Sequence, residues 1–474
     1  MSFNYRKMGY FDSLERFGKE PAIISLDSYP ITYSQVAAEA DEVASNCLPR
    51  SLVFCLCENS IASLIGYLGF LRRRVVPLLL ADNINPELLD QLVDIYQPDY
   101  LWLPETKLKS NSEINVICRL KNYILIQTGQ KNLLEIHPDL AQLMTTSGST
   151  GSPKLVRQSY GNLESNLAAI INYLGIKKSD RPITSLPMNY SYGLSVLSSH
   201  LSRGCGILLT NKTLIDKEFW VLLRNGQCTI FAGVPYSYEI LKKLRFDKLN
   251  LPKSMRVMTV AGGKLSVELT KEFLALCAEK NINFIVMYGQ TEATARMSWL
   301  PPEHAFNKVG SIGLPIPGGT FSIIDENGKT IDEVGKVGEL NYYGANVTLG
   351  YAECRADLSL GDENFGCLQT GDLAYRDSEG FYYIVGRKNR VIKLFGNRIN
   401  LDEIEKLVFN MGYSCVCTGS DENCKIYTTN KNNHKDIKTK LAYLTNLNPV
   451  AFDIKHINAI PRNEAGKVIY AALP

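Results

Sequence analysis

The chain is predicted to be an α/β protein with two mainly parallel sheets, a small antiparallel subdomain and a compact α+β tail. Three observations carry this prediction. From residue 52 to residue 287, short apolar runs alternate with helical patterns, as successive βαβ units require. Turn signals then crowd together from about residue 309, at Pro315-Ile316-Pro317-Gly318-Gly319, Glu326-Asn327-Gly328 and Ser378-Glu379-Gly380, with short alternating strands between them. Beyond Arg387, helical and strand-like segments mix within a short span.

Taken in order, Thr32 followed by Gln35 reads as a capping box that opens a helix through residue 46. A strand over 52–57, a helix over 60–72, a strand over 75–80 and a helix over 86–97 follow, with further strands near 123–126 and 143–145. The alternation resumes with helices at 162–174, 194–201, 217–225, 236–244 and 266–279. The strands between and after them fall at 183–186, 206–210, 229–232, 256–261 and 283–287. The antiparallel subdomain is expected at about 309–386. The tail should hold a helix at 402–410, strands at 414–417 and 425–427, a helix near 436–444 and a terminal extended stretch. Three polar residues, 388–390, form the predicted hinge and divide 1–388 from 389–474.

Composition excludes several classes of function. Of 474 residues, 45% are apolar and 21% charged, and a net charge of +3 without a basic block gives no nucleic-acid footprint. The 12 cysteines are mostly scattered in apolar runs, there is no C-x-x-C, and histidines number only 5. Buried free thiols in a reducing compartment fit that pattern better than a metal cluster. Cys55 and Cys57, and likewise Cys415 and Cys417, should share one face of a strand. Residues 61–71 followed by Arg72-Arg73-Arg74 look membrane-like but fall short of the roughly 20 apolar residues of a span. A buried amphipathic helix is expected there instead. Residues 1–12 show no apolar signal core, so the expected location is cytoplasmic, without stable membrane insertion.

The chemistry gathers at five places. Residues 144–154 follow an apolar run and offer two glycines, six hydroxyl side chains and Lys154. Such a loop can wrap a polyphosphate with backbone N–H groups, neutral donors and one point charge. It is not the G-x-x-x-x-G-K-[ST] loop of nucleotide hydrolases, and alone it could equally be a solvated turn. Tyr288-Gly289-Gln290-Thr291-Glu292 ends a buried strand, where open parallel sheets bind ligands. It offers an aromatic face, a closely approachable backbone, a hydroxyl and a carboxylate suited to Mg²⁺. Gly262 and Gly263 end another strand. Asp372, after Thr370-Gly371, can accept hydrogen bonds from both ribose hydroxyls, and Arg387 can bridge ribose and phosphate. Lys467 sits in a glycine-bearing loop near the end of the sequence, where a lysine on its own is ordinary surface.

Residues 143–163, 257–263, 284–294, 369–405 and 457–469, in that order, resemble the adenylate-forming superfamily of acyl-CoA synthetases, peptide-synthetase adenylation domains and firefly luciferase. The resemblance implies a large N-terminal region of two α/β subdomains plus a small β-barrel, followed by a small mobile α+β C-terminal domain. It also implies two half-reactions, in which a carboxylate attacks the α-phosphate of MgATP and a thiol then displaces AMP. Carried over by residue, Thr146, Ser147, Gly148, Ser149, Thr150, Gly151 and Lys154 would line the loop on the β- and γ-phosphates. Gly262, Gly263, Tyr288, Gly289 and Gln290 would face the nucleotide, Thr291 the α-phosphate, and Glu292 the Mg²⁺. Asp372 and Arg387 would hold the ribose, Asn389 would be the hinge, and Lys467 would reach the α-phosphate and the carboxylate. Gly396 matches the loop that the family turns toward the thiol, either CoA or phosphopantetheine.

Departures from the pattern bear on the substrate. Tyr190 occupies the slot where acyl-CoA synthetases often carry histidine, Asn389 makes the hinge position neutral, and Leu155 replaces a common glycine. Amino-acid-activating relatives place an aspartate near Tyr190, but residues 186–196 contain no acid. A buried ammonium without a counter-charge is costly, so the expected substrate is a small carboxylic acid lacking an α-amino group. The expected activity is that of an acyl-CoA synthetase. Loading of a separate acyl or peptidyl carrier protein is an alternative, and a catalytically silent nucleotide-binding protein is an alternative of another class. The silent reading predicts loss of the lysine or of the magnesium carboxylate, whereas Lys467 and Glu292 are both present.

Overall fold

The computed structural model describes residues 9–108, 115–129, 135–145, 154–394, 397–420, 423–445, 447–463 and 466–474. They form two compact units, one of Met1–Gly310, Pro315–Thr320 and Tyr343–Leu368, the other of Ser311–Leu314, Phe321–Tyr342 and Gln369–Pro474.

The first unit holds two main sheets. In the larger, Leu140–Thr145, Val76–Ala81, Leu52–Cys57 and Tyr100–Pro104 run side by side in parallel. Antiparallel strands flank them, Leu155–Ser159 on one side and Tyr123–Gln127 on the other. Every residue of Leu52–Cys57 is buried, because helices or segments cover both faces. Val53, Cys55 and Cys57 enter one core cluster and Leu52, Phe54 and Leu56 another, so the two cysteines share a face as expected. The helix Ile61–Arg72 is buried from Ala62 to Leu71, on all sides rather than along one stripe. In the second sheet Ile230–Gly233, Val257–Val260 and Asn283–Tyr288 are parallel, and Ser298–Trp299 folds back antiparallel to the last.

Local signals set most helix starts. Thr32 Oγ1 accepts from the Gln35 backbone N–H at 3.3 Å while the Gln35 side chain accepts from the Thr32 N–H at 2.9 Å, the predicted capping box. Helix Lys217–Asn225 matches its predicted bounds, and Val267–Glu279 starts after the Ser266 cap. Two expectations need correction and a third gains detail. The strand at 183–186 is reduced to isolated bridges, Pro182 to Ile230 and Ile183 to Leu208, with prolines at 182 and 187 unable to donate to a ladder. The helix expected from residue 194 starts at Ser191, one turn earlier. The terminal extended stretch contains a strand, Phe452–His456, parallel to Cys424–Thr428.

The second unit has a four-stranded sheet in the order Gly319–Ile324, Gly338–Gly344, Cys367–Arg376, Tyr382–Arg387. A separate three-stranded sheet, Cys415–Gly419, Cys424–Thr428 and Phe452–His456, shares a core with helices Leu401–Asn410 and His434–Thr445. All twelve cysteines are free. Burial pushes the thiols of Cys47, Cys57, Cys228 and Cys277 up to about 12, so they pack as small apolar groups. Among the described residues no helix is long and apolar enough to cross a membrane.

Candidate active site

In the first unit, the strand Asn283–Tyr288 delivers Tyr288, Gly289 and Gln290 to its carboxyl end, and Thr291–Ala293 makes a tight turn. The chain then doubles back through Thr294 and Ala295, both at positive φ, so that the Met297 N–H donates to the Tyr288 carbonyl at 2.9 Å. The return passes so close that a Cβ on Gly289 would lie 1.7 Å from the Ala295 carbonyl oxygen. Glycine is required here by close approach rather than by its own φ.

Side chains from distant segments fix this turn. Gln158 Nε2 donates to the Thr291 carbonyl at 3.0 Å, and the Ser191 and Thr291 hydroxyls meet at 3.1 Å. Asn346 Nδ2 donates to the carbonyls of Ala293 and Arg296, and the Thr294 hydroxyl donates to the Asn346 carbonyl at 2.7 Å. The Tyr351 phenol donates to Glu292 Oε1 at 2.8 Å. Burial first, and the Glu292 charge second, hold that phenol above its ordinary range, so it stays a donor. Arg157, fully buried, ties the backbone carrying Tyr351 by donating to the carbonyls of Tyr351 and Leu349, and it also pairs with Glu363.

Tyr190 lies against Gly262, where φ is +83° and an added Cβ would sit 2.3 Å from the phenol oxygen. Burial raises the Tyr190 phenol to about 12, opposed by the positive field of Arg296. Lys154 pairs with Glu353 at 2.5 Å, with both side chains well exposed. Thr146, Ser147, Gly148, Ser149, Thr150 and Gly151 lie outside the described residues, as does Gly396.

In the second unit, Asp372 and Arg387 are register partners on adjacent antiparallel strands, and Arg387 Nε lies 3.1 Å from Asp372 Oδ1. Thr370, Gly371, Arg387, Lys388 and Asn389 line an open cleft of about 280 Å³. Sequence-predicted ribose and hinge residues are thus brought together. Asp402 braces the segment around Asn389 from both sides, accepting from the Arg387 N–H at 3.2 Å and from Arg390 Nε at 2.5 Å. Lys467 sits on a tight return in which its N–H donates to Asn463 Oδ1 at 2.9 Å and its carbonyl accepts from the Asn463 N–H at 2.8 Å. Sequence reasoning missed Gln158, Ser191, Asn346 and Tyr351. None belongs to a spacing pattern, and each is placed only by the pairing of strands or the packing of a helix.

Among the described residues no three His, Cys, Asp or Glu side chains converge on a metal site. A single carboxylate such as Glu292 nonetheless fits Mg²⁺ delivered with a nucleotide, since that ion keeps waters and substrate phosphates as its other ligands. Two glycine-bearing strand ends, a braced hydroxyl–carboxylate pair and, separately, an aspartate–arginine pair whose arginine lines a cleft fit a nucleotide-binding α/β protein.

The sequence model of the AMP-binding enzyme family matches residues 10–352, and the chain belongs to this family, within the adenylate-forming superfamily. It is 30% identical to the 2-succinylbenzoate–CoA ligase of Bacillus pumilus over 306 residues, covering 63% of this chain and 60% of that protein. With the ligase of the same name from Oceanobacillus iheyensis it shares 31% identity over 376 residues, 77% of this chain and 72% of that one. The match to the Bacillus pumilus protein therefore spans less than two-thirds of its length. The fold matches O-succinylbenzoate coenzyme A synthetase from Bacillus subtilis in complex with AMP, with a TM-score of 0.79, 21% identity and 98% of each chain covered. It also matches ATP-bound MatB from Rhodopseudomonas palustris, with a TM-score of 0.74, 20% identity and 97% of each chain covered. These likenesses establish the fold.

Proposed function

We propose that the chain is an AMP-forming acid–thiol ligase of the acyl-CoA synthetase type, acting on a carboxylic acid without an α-amino group. A carboxylate oxygen attacks the α-phosphorus of ATP, the bond to the bridging oxygen of the β-phosphate breaks, and acyl-adenylate and pyrophosphate result. The CoA thiolate then attacks the acyl carbon and AMP leaves with its bond electrons.

The observation that carries this reading is the Thr291–Glu292 pair, braced by Gln158, Ser191 and Tyr351 at the carboxyl end of a parallel strand. In this reading Thr291 meets the α-phosphate and Glu292 holds Mg²⁺, which when bound supplies positive charge to the phosphates. Tyr288 flanks the adenine, Gly262, Gly263, Gly289 and Gln290 let the nucleotide approach the backbone, and Lys154 serves the leaving phosphates. Asp372 and Arg387 take the ribose, Asn389 is the hinge between 1–388 and 389–474, and Lys467 offsets the repulsion between two anionic reactants. Preorganised charge of this kind is worth several kcal/mol at a phosphoryl centre.

Two features support an acid without an amino group. Residues 186–196 carry no carboxylate, and the Arg296 guanidinium lies 4.3 Å from the centre of the Tyr192 ring, so the field beside Tyr190 is positive. Similarity to the two 2-succinylbenzoate–CoA ligases supports CoA as the thiol. The free cysteines support a cytoplasmic setting.

Exchange of labelled pyrophosphate into ATP, driven by a panel of carboxylic acids, tests the reading. Lys467→Ala should lower acid-dependent exchange by about two orders of magnitude or more. Full exchange by that variant would remove Lys467 from the mechanism. CoA and a holo-carrier protein, offered separately, then decide the acceptor.

A further inference from the structure

We propose that Tyr67 and Gln142, acting through Gln158, are positioning residues for the step at the α-phosphate, forming a one-way chain of hydrogen bonds that ends on the turn carrying Thr291 and Glu292. This deepens the ligase reading and rests on it. The Tyr67 hydroxyl donates to Gln142 Oε1 at 2.7 Å, Gln142 Nε2 donates to Gln158 Oε1 at 2.7 Å, and Gln158 Nε2 donates to the Thr291 carbonyl at 3.0 Å. All three side chains are 1% exposed, so each bond forms away from bulk water, where a missed partner is costly.

The last link fixes the direction of the chain. A main-chain carbonyl only accepts, so the Gln158 amide must turn its NH2 toward Thr291 and its oxygen toward Gln142. Gln142 must then present its own NH2 to Gln158 and its oxygen to Tyr67, which has to donate. Burial, the largest cause, raises the Tyr67 phenol well above its ordinary range, so the proton at the head of the chain stays in place. Turning either amide over would set like ends face to face.

The chain joins segments far apart in sequence. Tyr67 stands on the helix Ile61–Arg72, Gln142 on the strand Leu140–Thr145 and Gln158 on the antiparallel strand Leu155–Ser159, while Thr291 follows Asn283–Tyr288 of the other sheet. Gln142 and Gln158 are register partners, and the pairing slips just before them, where Leu140 to Gln142 opposes Ser159 to Gln158. Such a bulge re-aims side chains. Apolar groups of the same size would fill this interior without desolvating two amides, so the amides answer to the Thr291 carbonyl. Lys154 immediately precedes the strand that bears Gln158. In the ligase reading Lys154 serves the leaving phosphates and Thr291 the α-phosphate, so the chain sets the spacing between the two. Misplacing reacting groups by about 1 Å can cost about 100-fold in rate.

The test is exchange of labelled pyrophosphate into ATP by the intact protein, driven by the fastest acid of the panel used to test the ligase reading. Gln142→Met keeps the size of the side chain and removes its amide. Its kcat should fall about tenfold or more while the KM for ATP changes by less than about threefold, since adenine and ribose are held by other residues. Gln142→Glu gives a reading that a merely structural role would not move. A protonated carboxyl can donate to Gln158 and accept from Tyr67, whereas a carboxylate only accepts. Relative to wild type, kcat of Gln142→Glu should be near normal at about pH 6 and fall about tenfold by about pH 9, because burial raises the introduced carboxyl into that interval. The double variant Gln142→Met/Gln158→Met should lose little more than the worse single one, since links of one chain do not add.

A folded Gln142→Met with wild-type kcat, or a Gln142→Glu whose ratio to wild type is flat with pH, overturns the positioning role and leaves the ligase reading standing. Where neither variant folds, Tyr67→Phe decides: it frees Gln142 to turn over and should lower kcat by about threefold or more, and an unchanged kcat overturns the chain. No exchange by wild type with any acid, although ATP binds, overturns the ligase reading and this inference with it.

Discussion

The Tyr351 phenol donates to Glu292 Oε1 across 2.8 Å, joining residues that lie 59 apart in sequence. Glu292 is thereby oriented through one of its two carboxylate oxygens. Tyr351→Phe removes the orienting bond while leaving the carboxylate. Outer partners of metal ligands typically matter by about 10- to 100-fold, so the Mg²⁺ concentration for half-maximal exchange should rise by about tenfold. A magnesium titration of exchange checks this, and an unchanged midpoint would separate Tyr351 from the metal.

Asp372 is 3% exposed and keeps a 3.1 Å contact with Arg387, which lines the second unit's cleft. As the acceptor for ribose hydroxyls it should discriminate ATP from 2′-deoxy-ATP. Hydrogen bonds to charged groups contribute roughly 1.5–3 kcal/mol, which corresponds to about 10- to 100-fold. Asp372→Ala should raise the KM for ATP by that order and abolish the preference over 2′-deoxy-ATP. Retained discrimination would exclude the ribose assignment.

His200 gives a pH dependence of stability that is independent of the chemistry. Burial is the larger cause and lowers its pKa from 6.5 to about 4, while the bond from the ring Nδ1 to the Val196 carbonyl at 2.8 Å acts the other way. The unfolded chain binds this proton near pH 6.5 and the folded chain only near pH 4. The contribution is therefore complete above pH 6.5, declines as pH falls through the interval to 4, and is lost below it. Its size is about 3 kcal/mol. Between pH 7 and 4.5 the urea midpoint of wild type should fall further than that of His200→Gln, and parallel declines would contradict the assignment.

Gly289→Ala would set a methyl group 1.7 Å from the Ala295 carbonyl oxygen, against backbone that is itself pinned by the Gln290 carbonyl. Relief requires movement of the turn that carries Thr291 and Glu292. Overpacking of this kind costs about 1–3 kcal/mol or more. Exchange activity should fall by at least about tenfold with a lower melting temperature, and wild-type activity in this variant would show that the turn is not rigid.

Much of the candidate site is legible in the chain because its chemistry is local. Tyr288 ends an apolar strand and Gly289 to Glu292 follow it, so residue type and position at a strand end suffice to flag them, whereas Thr370, Gly371 and Asp372, expected after a short strand, lie inside the strand Cys367–Arg376. The bracing side chains are not legible. Gln158 lies in the strand Leu155–Ser159, where Arg157 and Gln158 look like surface residues, yet both are buried. Ser191 was overlooked because its helix was expected to begin at residue 194, and the structure starts it one turn earlier. The strand expected at 183–186 failed for a local reason of its own, since prolines 182 and 187 interrupt the donors of a ladder.

By itself the sequence determined the alternation of strands and helices, the burial of the helix over residues 62–71, and the shared face of Cys55 and Cys57. These follow from periodicity, capping and residue chemistry, which act over a few neighbouring positions. Only the tertiary structure decided that Glu292 is held by Tyr351, that Thr291 meets Ser191, and that Arg296 is buried beside Ser195. Each of these depends on strand order and helix placement joining residues far apart in the chain, which no local pattern of residue types encodes.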